Sequence, residues 1–460
     1  MTQPDFSTLP LSASLLEVLA EIGFTSMTPI QTRSLPALLQ GRDLLGQSQT
    51  GSGKTLAFGL PLLEKVRLQD RQLQALILCP TRELCAQVAR EIRRAGRRLP
   101  GLQVQVLAGG QLIREQLSAM ANGVHIAVAT PGRLLDHLRR NSVSLGCVRQ
   151  LVLDEADRML EMGFADDLRE IMALLPKKRQ TMFFSATFDS TIAEMSRLYQ
   201  HKPLRVEVQA ASQTALSISQ YFCAVATEED KLPVLRLLLE RLSPNSALVF
   251  CRFKKTAGHL AQELSRLGMG ATALHGDLEQ FERDRALARF RNGSCPILVA
   301  TDVAARGLDI ADLDLVVNYD LPGQTEMYVH RIGRTGRAGK PGLAWSLGLS
   351  REEGKLEEYE KLTGTAIERR HPDAETEGGK TPPTALATLH IWGGRRDKLR
   401  PGDILGALTG EIGLEAGQVG KIEIHDKLVY VAVSASIASA ARRKLQEHGI
   451  KGRKFRVDLI

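Results

Sequence analysis

Two short apolar strings recur in this chain at nearly one spacing. Leu76-Ile77-Leu78-Cys79-Pro80-Thr81-Arg82 is echoed 172 residues later by Leu248-Val249-Phe250-Cys251-Arg252, and Val128-Ala129-Thr130-Pro131 is echoed 171 residues later by Val299-Ala300-Thr301-Asp302. Each string reads as a buried parallel strand ending in polar residues, and ligands gather at the carboxyl ends of such strands. One α/β unit is therefore present twice. Only the first copy carries a glycine-rich phosphate loop, Ser48-Gln49-Thr50-Gly51-Ser52-Gly53-Lys54-Thr55. The pattern predicts one nucleotide per chain, with the second copy supplying groups to it from outside.

The loop departs from the strict phosphate-loop pattern only in having Ser48 at the first glycine position. Its context is right: Asp43-Leu44-Leu45 reads as the strand that feeds it, and Leu56-Ala57-Phe58-Gly59-Leu60 as the helix that follows. Gly51 and Gly53 would let backbone N–H groups approach the β- and γ-phosphates, and the helix N-terminus adds partial positive charge. Lys54 would reach phosphate oxygens and the Thr55 hydroxyl would meet Mg²⁺. A strand-end acid is the next requirement. Leu151-Val152-Leu153-Asp154-Glu155-Ala156-Asp157 provides two in succession, Asp154 suited to Mg²⁺ through its water shell and Glu155 to polarising an attacking water. Helix capping would account for Asp157, but not for consecutive acids leaving a buried strand.

Asp154-Glu155-Ala156-Asp157 is the signature of the DEAD-box RNA helicases, and the chain resembles that family across residues 6 to 337. Gly23-Phe24-Thr25-Ser26-Met27-Thr28-Pro29-Ile30-Gln31 is similar to the family's adenine-reading motif, with Phe6 upstream and Met27 where proline is usual; Phe24 and Gln31 are its ATP contacts. Pro80, Thr81 and Arg82, Gly109 and Gly110, and Thr130-Pro131-Gly132-Arg133 look like first-lobe RNA contacts. Ser185-Ala186-Thr187 resembles the element that couples hydrolysis to RNA binding. The resemblance implies two tandem RecA-like parallel-sheet lobes, ATP and Mg²⁺ as cofactors, and RNA as partner.

In the second copy, Ala300-Thr301-Asp302-Val303-Ala304-Ala305-Arg306-Gly307-Leu308-Asp309 and His330-Arg331-Ile332-Gly333-Arg334-Thr335-Gly336-Arg337 resemble the remaining family motifs. Three arginines among glycines make a poor helix and a poor strand but a positive loop able to meet phosphate. By the family's pattern Arg334 and Arg337 are arginine fingers on the γ-phosphate, Gly307 and Asp309 contact the nucleotide, His330 joins the coupling element, and Arg252, Gln280, Arg283, Thr301 and Asp302 face RNA. Strand-end loops rich in backbone amides, Thr and Arg meet phosphate and ribose, so such a core reads strand character more than sequence.

Charge and pattern set the last part of the chain apart. Of a net charge of +8, residues 386–460 carry +5, from 13 Lys and Arg against 8 Asp and Glu. Ala387 to Trp392 reads as a strand, Pro401 to Leu408 as a helix start, Val419–Ile424 and Leu428–Val433 as a hairpin, Ile437 to Glu447 as a helix, and Phe455 to Leu459 as a strand. The order βαββαβ is the topology of an RNA-recognition motif, a small α+β domain. Its usual stacking signature is thin, because the central hairpin strand offers one aromatic, Tyr430. The basic cluster Arg395, Arg396, Lys398 and Arg400 is the better RNA contact. With Arg400-Pro401-Gly402-Asp403-Ile404-Leu405-Gly406-Ala407-Leu408-Thr409-Gly410 and Gly420-Lys421-Ile422, the module resembles that of a bacterial DEAD-box subgroup tied to large ribosomal subunit assembly. That likeness implies docking on a large-subunit ribosomal RNA hairpin near the peptidyl transferase centre.

These readings give a first lobe over 1–207, a second over 208–365, a linker over 366–385 and the RNA-binding module over 386–460. Six cysteines without a CxxC pair, mostly inside apolar runs, read as buried free thiols. With no apolar run near the ~20 residues a span requires and no signal-like start, the expectation is a cytoplasmic monomer acting on RNA, with no membrane role. Two other classes share parts of this pattern. A DNA translocase would need a further DNA-engaging domain, and an ATP-gated RNA clamp or chaperone would need no turnover.

Overall fold

The computed structural model describes residues 4–48, 52–110, 112–185, 187–208, 218–305, 310, 312–336, 341–374 and 385–460. The chain divides into two compact units, one built on a first sheet and the other on a second and third. The strands of the first sheet are β1 Leu44–Gln47, β2 Ala75–Leu78, β3 Val104–Leu107, β4 Ile126–Ala129, β5 Gln150–Asp154, β6 Gln180–Ser185 and β7 Leu204–Glu207. Those of the second are β8 Ile218–Val225, β9 Ala247–Cys251, β10 Ala271–Leu274, β11 Ile297–Thr301, β12 Leu315–Asn318, β13 Gly342–Leu349 and β14 Glu368–Arg369.

Their orders are β3-β4-β2-β5-β6-β1-β7 and β10-β11-β9-β12-β13-β8-β14, so each strand of one has a counterpart in the other. Every pairing is parallel. The echoed strings are β2 with β9 and β4 with β11, adjacent strands in both sheets. Their side chains are buried throughout, as expected for strands covered by helices on both faces.

Two RecA-like lobes are therefore present, as the sequence predicts. The stretch read as linker is different. Glu368–Arg369 pairs with Tyr221 and Phe222 of β8, and Ile367 beside it is buried. A two-residue edge strand between polar neighbours has no period to betray it. Of the cysteines, five are buried and Cys147 is exposed.

The third sheet has strands β15 Leu386–Ile391, β16 Val419–Ile424, β17 Val429–Ser434 and β18 Val457–Leu459 in the antiparallel order β16-β17-β15-β18. Leu389, Ile391, Val429, Val431 and Val433 meet Ile404, Leu408, Ala441 and Leu445 from the helices on one face. A turn of π-helix, Ala407–Glu411, extends the first of these helices. No described helix is long and apolar enough to cross a membrane.

The strand that feeds the phosphate loop is fixed at its start by Asp43. Its carboxylate accepts the Thr181 N–H at 2.8 Å and the His201 N–H at 2.7 Å, joining the edges of β6 and β7 to β1. Asp43→Ala would leave the buried Thr181 N–H and the part-buried His201 N–H unmatched and is expected to cost about 3 kcal/mol. Thermal melting should show a midpoint lower by roughly 6–10 °C, and a melt within ~1 °C of the parent would contradict this role.

Candidate nucleotide and RNA site

Lys54 opens the helix Lys54–Lys65, and Gly53 before it has φ +92°. A Cβ at Gly53 would lie 2.6 Å from Gln31 Nε2 and 2.8 Å from Thr28 Oγ1, so both conformation and space demand glycine. Gln31 explains the crowding. Its Nε2 donates to the Gly53 carbonyl at 3.0 Å and its Oε1 accepts the Thr28 N–H at 2.9 Å, fastening the helix Pro29–Leu39 to the phosphate loop. Phe24 is exposed, with the Arg94 guanidinium 5.7 Å from its ring centre.

Within the loop, Lys54 Nζ donates to the Ser48 carbonyl at 3.2 Å, and the Ser52 hydroxyl donates to Ser48 Oγ at 3.0 Å. Thr55 follows on the first helical turn, half-buried. Gln49, Thr50 and Gly51 lie outside the described residues, as do Ala186, Gly307, Asp309 and Arg337.

Asp154 ends β5 and is buried, with Oδ1 lacking any hydrogen-bond partner among the described residues. Burial pushes its carboxyl up to about 6; the Lys54 ammonium pulls it back and the Glu155 carboxylate adds to the rise. A buried carboxylate oxygen without a partner, near a buried ammonium, fits a hydrated cation better than a purely structural part. Glu155 is buried too and sits at φ +53°, a left-handed conformation that is costly for a side chain with a Cβ. The strained turn lets two consecutive acids leave the same strand end.

Asp157, which the sequence explains as a helix cap, has a further use. Its Oδ2 accepts from the Thr187 N–H at 3.1 Å and the Thr187 hydroxyl at 3.2 Å, so the acid-bearing loop is tied to the segment after β6. Ser185, at the end of β6, accepts the Ser48 N–H on its carbonyl at 3.2 Å, while its buried hydroxyl has no partner among the described residues. Hydrogen bonds thus link Ser48 to Ser185 and Asp157 to Thr187.

On the same sheet the three expected RNA-facing segments converge. Pro80 and Thr81 are buried at the end of β2, and Thr81 caps the helix Arg82–Ala95 by accepting the Leu84 N–H at 3.2 Å. The Arg82 guanidinium lies against Gly109, where a Cβ would approach it to 2.9 Å. Gly110 has φ +80°. Thr130 precedes the helix Pro131–Arg139, which presents Gly132 and Arg133. Gln116, which sequence reasoning passed over, joins these parts: its Nε2 donates to the Ala108 carbonyl at 2.9 Å, and its Oε1 meets His137 Nε2 at 2.9 Å and Arg133 at 3.3 Å. Nothing in the sequence singles Gln116 out: it is fully buried in its nine-residue helix, and its role comes from partners distant in the chain.

In the second unit the arginines of the expected positive loop divide. Arg331 is 2% exposed and clamps Asp302 in a two-pronged pair, 2.7 Å on each oxygen, while also reaching Asn318 Oδ1 at 3.1 Å and the Asp320 carbonyl at 2.6 Å. It is a structural cation, and Asp302 is its counterion. Arg334 is buried near the carbonyl of Ile310, and the loop carrying it is held by the Leu313 N–H on the Arg334 carbonyl at 3.2 Å. At Gly336, φ +68°, a Cβ would meet Ile218 at 2.5 Å. His330 stands half-buried on the helix Thr325–Ile332, and Thr301 is buried at the end of β11.

Arg252 follows β9, its N–H donating to Asp320 at 2.8 Å and its guanidinium to the Leu321 carbonyl at 3.3 Å. Gln280 and Arg283 stand on the helix Gln280–Arg291, bonded to Asp284 at 3.0 Å and the His275 carbonyl at 3.2 Å.

In the third sheet's domain, Arg395, Arg396, Lys398 and Arg400 are all exposed around the buried anchor Leu399. The loop is set by backbone bonds from Arg395 to the His425 carbonyl at 2.9 Å and from Arg396 to the Asp426 carbonyl at 3.0 Å. Gly394 is required there, since a Cβ would lie 2.3 Å from the His425 carbonyl.

Three family models match the chain: DEAD/DEAH box helicase over residues 28–195, helicase conserved C-terminal domain over 230–339, and DbpA RNA binding domain over 388–459. Among relatives, the ATP-dependent RNA helicase DbpA of Escherichia coli is 46% identical over 456 residues, 99% of each chain. The DEAD-box ATP-dependent RNA helicase CshA of Geobacillus kaustophilus is 43% identical over 80% of this chain and 78% of its own. A solved structure of S. cerevisiae Dbp5 bound to RNA and ADP BeF3 superposes with TM-score 0.71 at 34% identity, covering 80% of this chain and 96% of that one. The chain belongs to the DEAD-box ATP-dependent RNA helicases, RNA-stimulated ATPases, and to the kind that carries a DbpA RNA-binding domain.

Proposed function

We propose that this helicase remodels large-subunit ribosomal RNA during ribosome assembly, working as a cytoplasmic monomer whose terminal domain selects the RNA on which the core acts. The observation that carries the reading is the exposed basic loop Arg395–Arg400, held by backbone hydrogen bonds on a module that matches the DbpA RNA-binding domain. Four cations on a hydrogen-bonded loop suit the phosphates of a folded RNA better than a free strand.

In the core, Lys54, with Ser48, Gln49, Thr50, Gly51, Ser52 and Gly53, takes the phosphates of ATP, while Phe24 and Gln31 form the adenine end. Thr55 and Asp154 would hold Mg²⁺, which would offset charge on the phosphates when bound. Glu155 orients the attacking water. RNA is held by Pro80 to Arg82, Gly109, Gly110 and Thr130 to Arg133 on the first unit, and by Arg252, Gln280, Arg283 and Thr301 on the second. Arg334 and Arg337 reach the γ-phosphate only after RNA has engaged both units, and Ser185, Ala186, Thr187 and His330 link the two events. Gly307 and Asp309 complete the nucleotide contacts.

Replacing Glu155 by Gln should leave nucleotide affinity within about two-fold and slow RNA-saturated hydrolysis by roughly 10²–10⁴, whereas Lys54→Ala should weaken nucleotide binding itself. Equilibrium binding of a fluorescent nucleotide beside phosphate release separates the two, and wild-type turnover in either would show the site to be misplaced.

Selectivity tests the targeting. Removing residues 386–460 should leave turnover on saturating homopolymer RNA intact and abolish preference for ribosomal RNA fragments. Equal selectivity with and without the terminal domain would place recognition in the core.

A further inference from the structure

A stable helix start has a capping side chain and keeps cations out of its first turn. The helix Lys254–Arg266 breaks both rules. Phe253 stands at its N-cap and offers no side-chain hydrogen bond, and the first turn holds Lys254 and Lys255 without an acid. The first copy of the framework shows the stabilising choice. At the 172-residue offset that relates β2 to β9, Phe253 corresponds to Thr81, which caps its own helix by accepting the Leu84 N–H at 3.2 Å. Phe253 is instead 63% exposed. A lone exposed apolar side chain is ordinary, but one that displaces a cap on a rim of cations breaks a local rule with no return to the fold.

The surroundings say what the return is. Phe253 follows Arg252 at the end of β9, and Arg252, Lys254 and Lys255 are all exposed around it, with Lys254 paired to Asp277 at 2.8 Å. β9 and β11 run in register with Cys251 opposite Thr301, so Phe253 and Val303 leave neighbouring strands at the same level, two residues further on. Val303 is 55% exposed. The two side chains make a small apolar step on a positively charged strand-end rim. Cations with an aromatic ring among them suit a single-stranded nucleic acid, whose phosphates meet the charges and whose base faces meet the ring.

We propose that Phe253 is a base-stacking platform of the second lobe, flanked by Val303, and that it takes one unpaired base of the RNA strand lying along Arg252 and Thr301. The platform rests on the RNA placement given under the proposed function and adds a base face to it, where the other strand-end groups meet phosphate and ribose. A base inside a helix is already stacked on both sides, so Phe253 gains one only where the strand has left its partner. The ring therefore favours the separated strand and gives nothing to a duplex. Every base has a π-face, which keeps the contact tolerant of sequence. An aromatic ring in place of a cap exchanges some helix stability for this contact.

The test uses the full-length protein, its RNA-stimulated ATPase, and the shortest oligoadenylate that supports full turnover, with a single abasic site moved along the strand. In the parent, one position is expected to raise the half-saturating RNA concentration about ten-fold, the size of one base–aromatic stack, and the other positions far less. Phe253→Ala is expected to weaken intact RNA by a similar factor and to lose the response at that position, while Phe253→Tyr keeps both. Phe253→Thr, which installs the residue of the first copy, reads out any structural role: its melting midpoint should be no lower than the parent's, yet the abasic response should vanish. Midpoints clearly below the parent's in both Phe253→Ala and Phe253→Thr would make Phe253 a packing residue and overturn the proposal. So would a parent indifferent to base removal at every position, which would leave the ring to a partner other than RNA, or a Phe253→Ala protein that keeps the full response. Arg252→Ala separates the underlying reading. Weaker RNA with Arg252→Ala beside an unchanged Phe253→Ala overturns the platform alone, whereas no loss from either places the RNA elsewhere and overturns both.

Discussion

The structure is organised around unsettled charge at the end of β5. Asp154 is buried with an oxygen that no described group satisfies, and its carboxyl is raised to about 6 because desolvation outweighs the attraction of Lys54. Glu155 beside it stands in a strained conformation. Burying charge this way costs free energy that folding alone does not return. Nearby features make sense as supports for it: Gly53 lets Gln31 lock the phosphate loop, Asp43 fixes the start of β1, and Asp157 fastens the acid loop to Thr187. Such an arrangement fits a phosphate chain and its counter-ion, and a protein built only for stability would have used apolar residues there.

The same economy of parts appears in the second unit. Arg331 is used up in holding Asp302, Asn318 and the Asp320 carbonyl, which positions the ends of β11 and β12 and the helix that leads to Arg334. Strand-end loops in the two units derive from equivalent strands, so a duplicated framework has been given two chemistries. In the proposed function one copy takes nucleotide phosphates, while the other retains the strand-end geometry and adds arginines.

Much of this is legible in the sequence because the chemistry is local. The echoed strings are successive residues of buried strands, the phosphate loop is contiguous, and Asp154 and Glu155 stand together. What the sequence hides is long-range. Gln116 acquires its meaning from Ala108, Arg133 and His137, and Arg331 looks like Arg334 until Asp302 and Asn318 are brought beside it. The strand Glu368–Arg369 is too short and too polar to announce itself and is defined only by pairing with β8. His390 and Trp392 carry no stacking motif, and their face is recognised only when Tyr430 and Phe281 are found against it.

We propose that the nucleotide site gains Arg334 only when RNA is bound. Single-turnover hydrolysis by Arg334→Ala, with RNA saturating, measures that directly. A completing arginine predicts a rate lower by ~10³ or more, with nucleotide affinity in the absence of RNA unchanged. A defect explained wholly by weaker nucleotide binding without RNA, or a rate within a few-fold of the parent, would contradict the account.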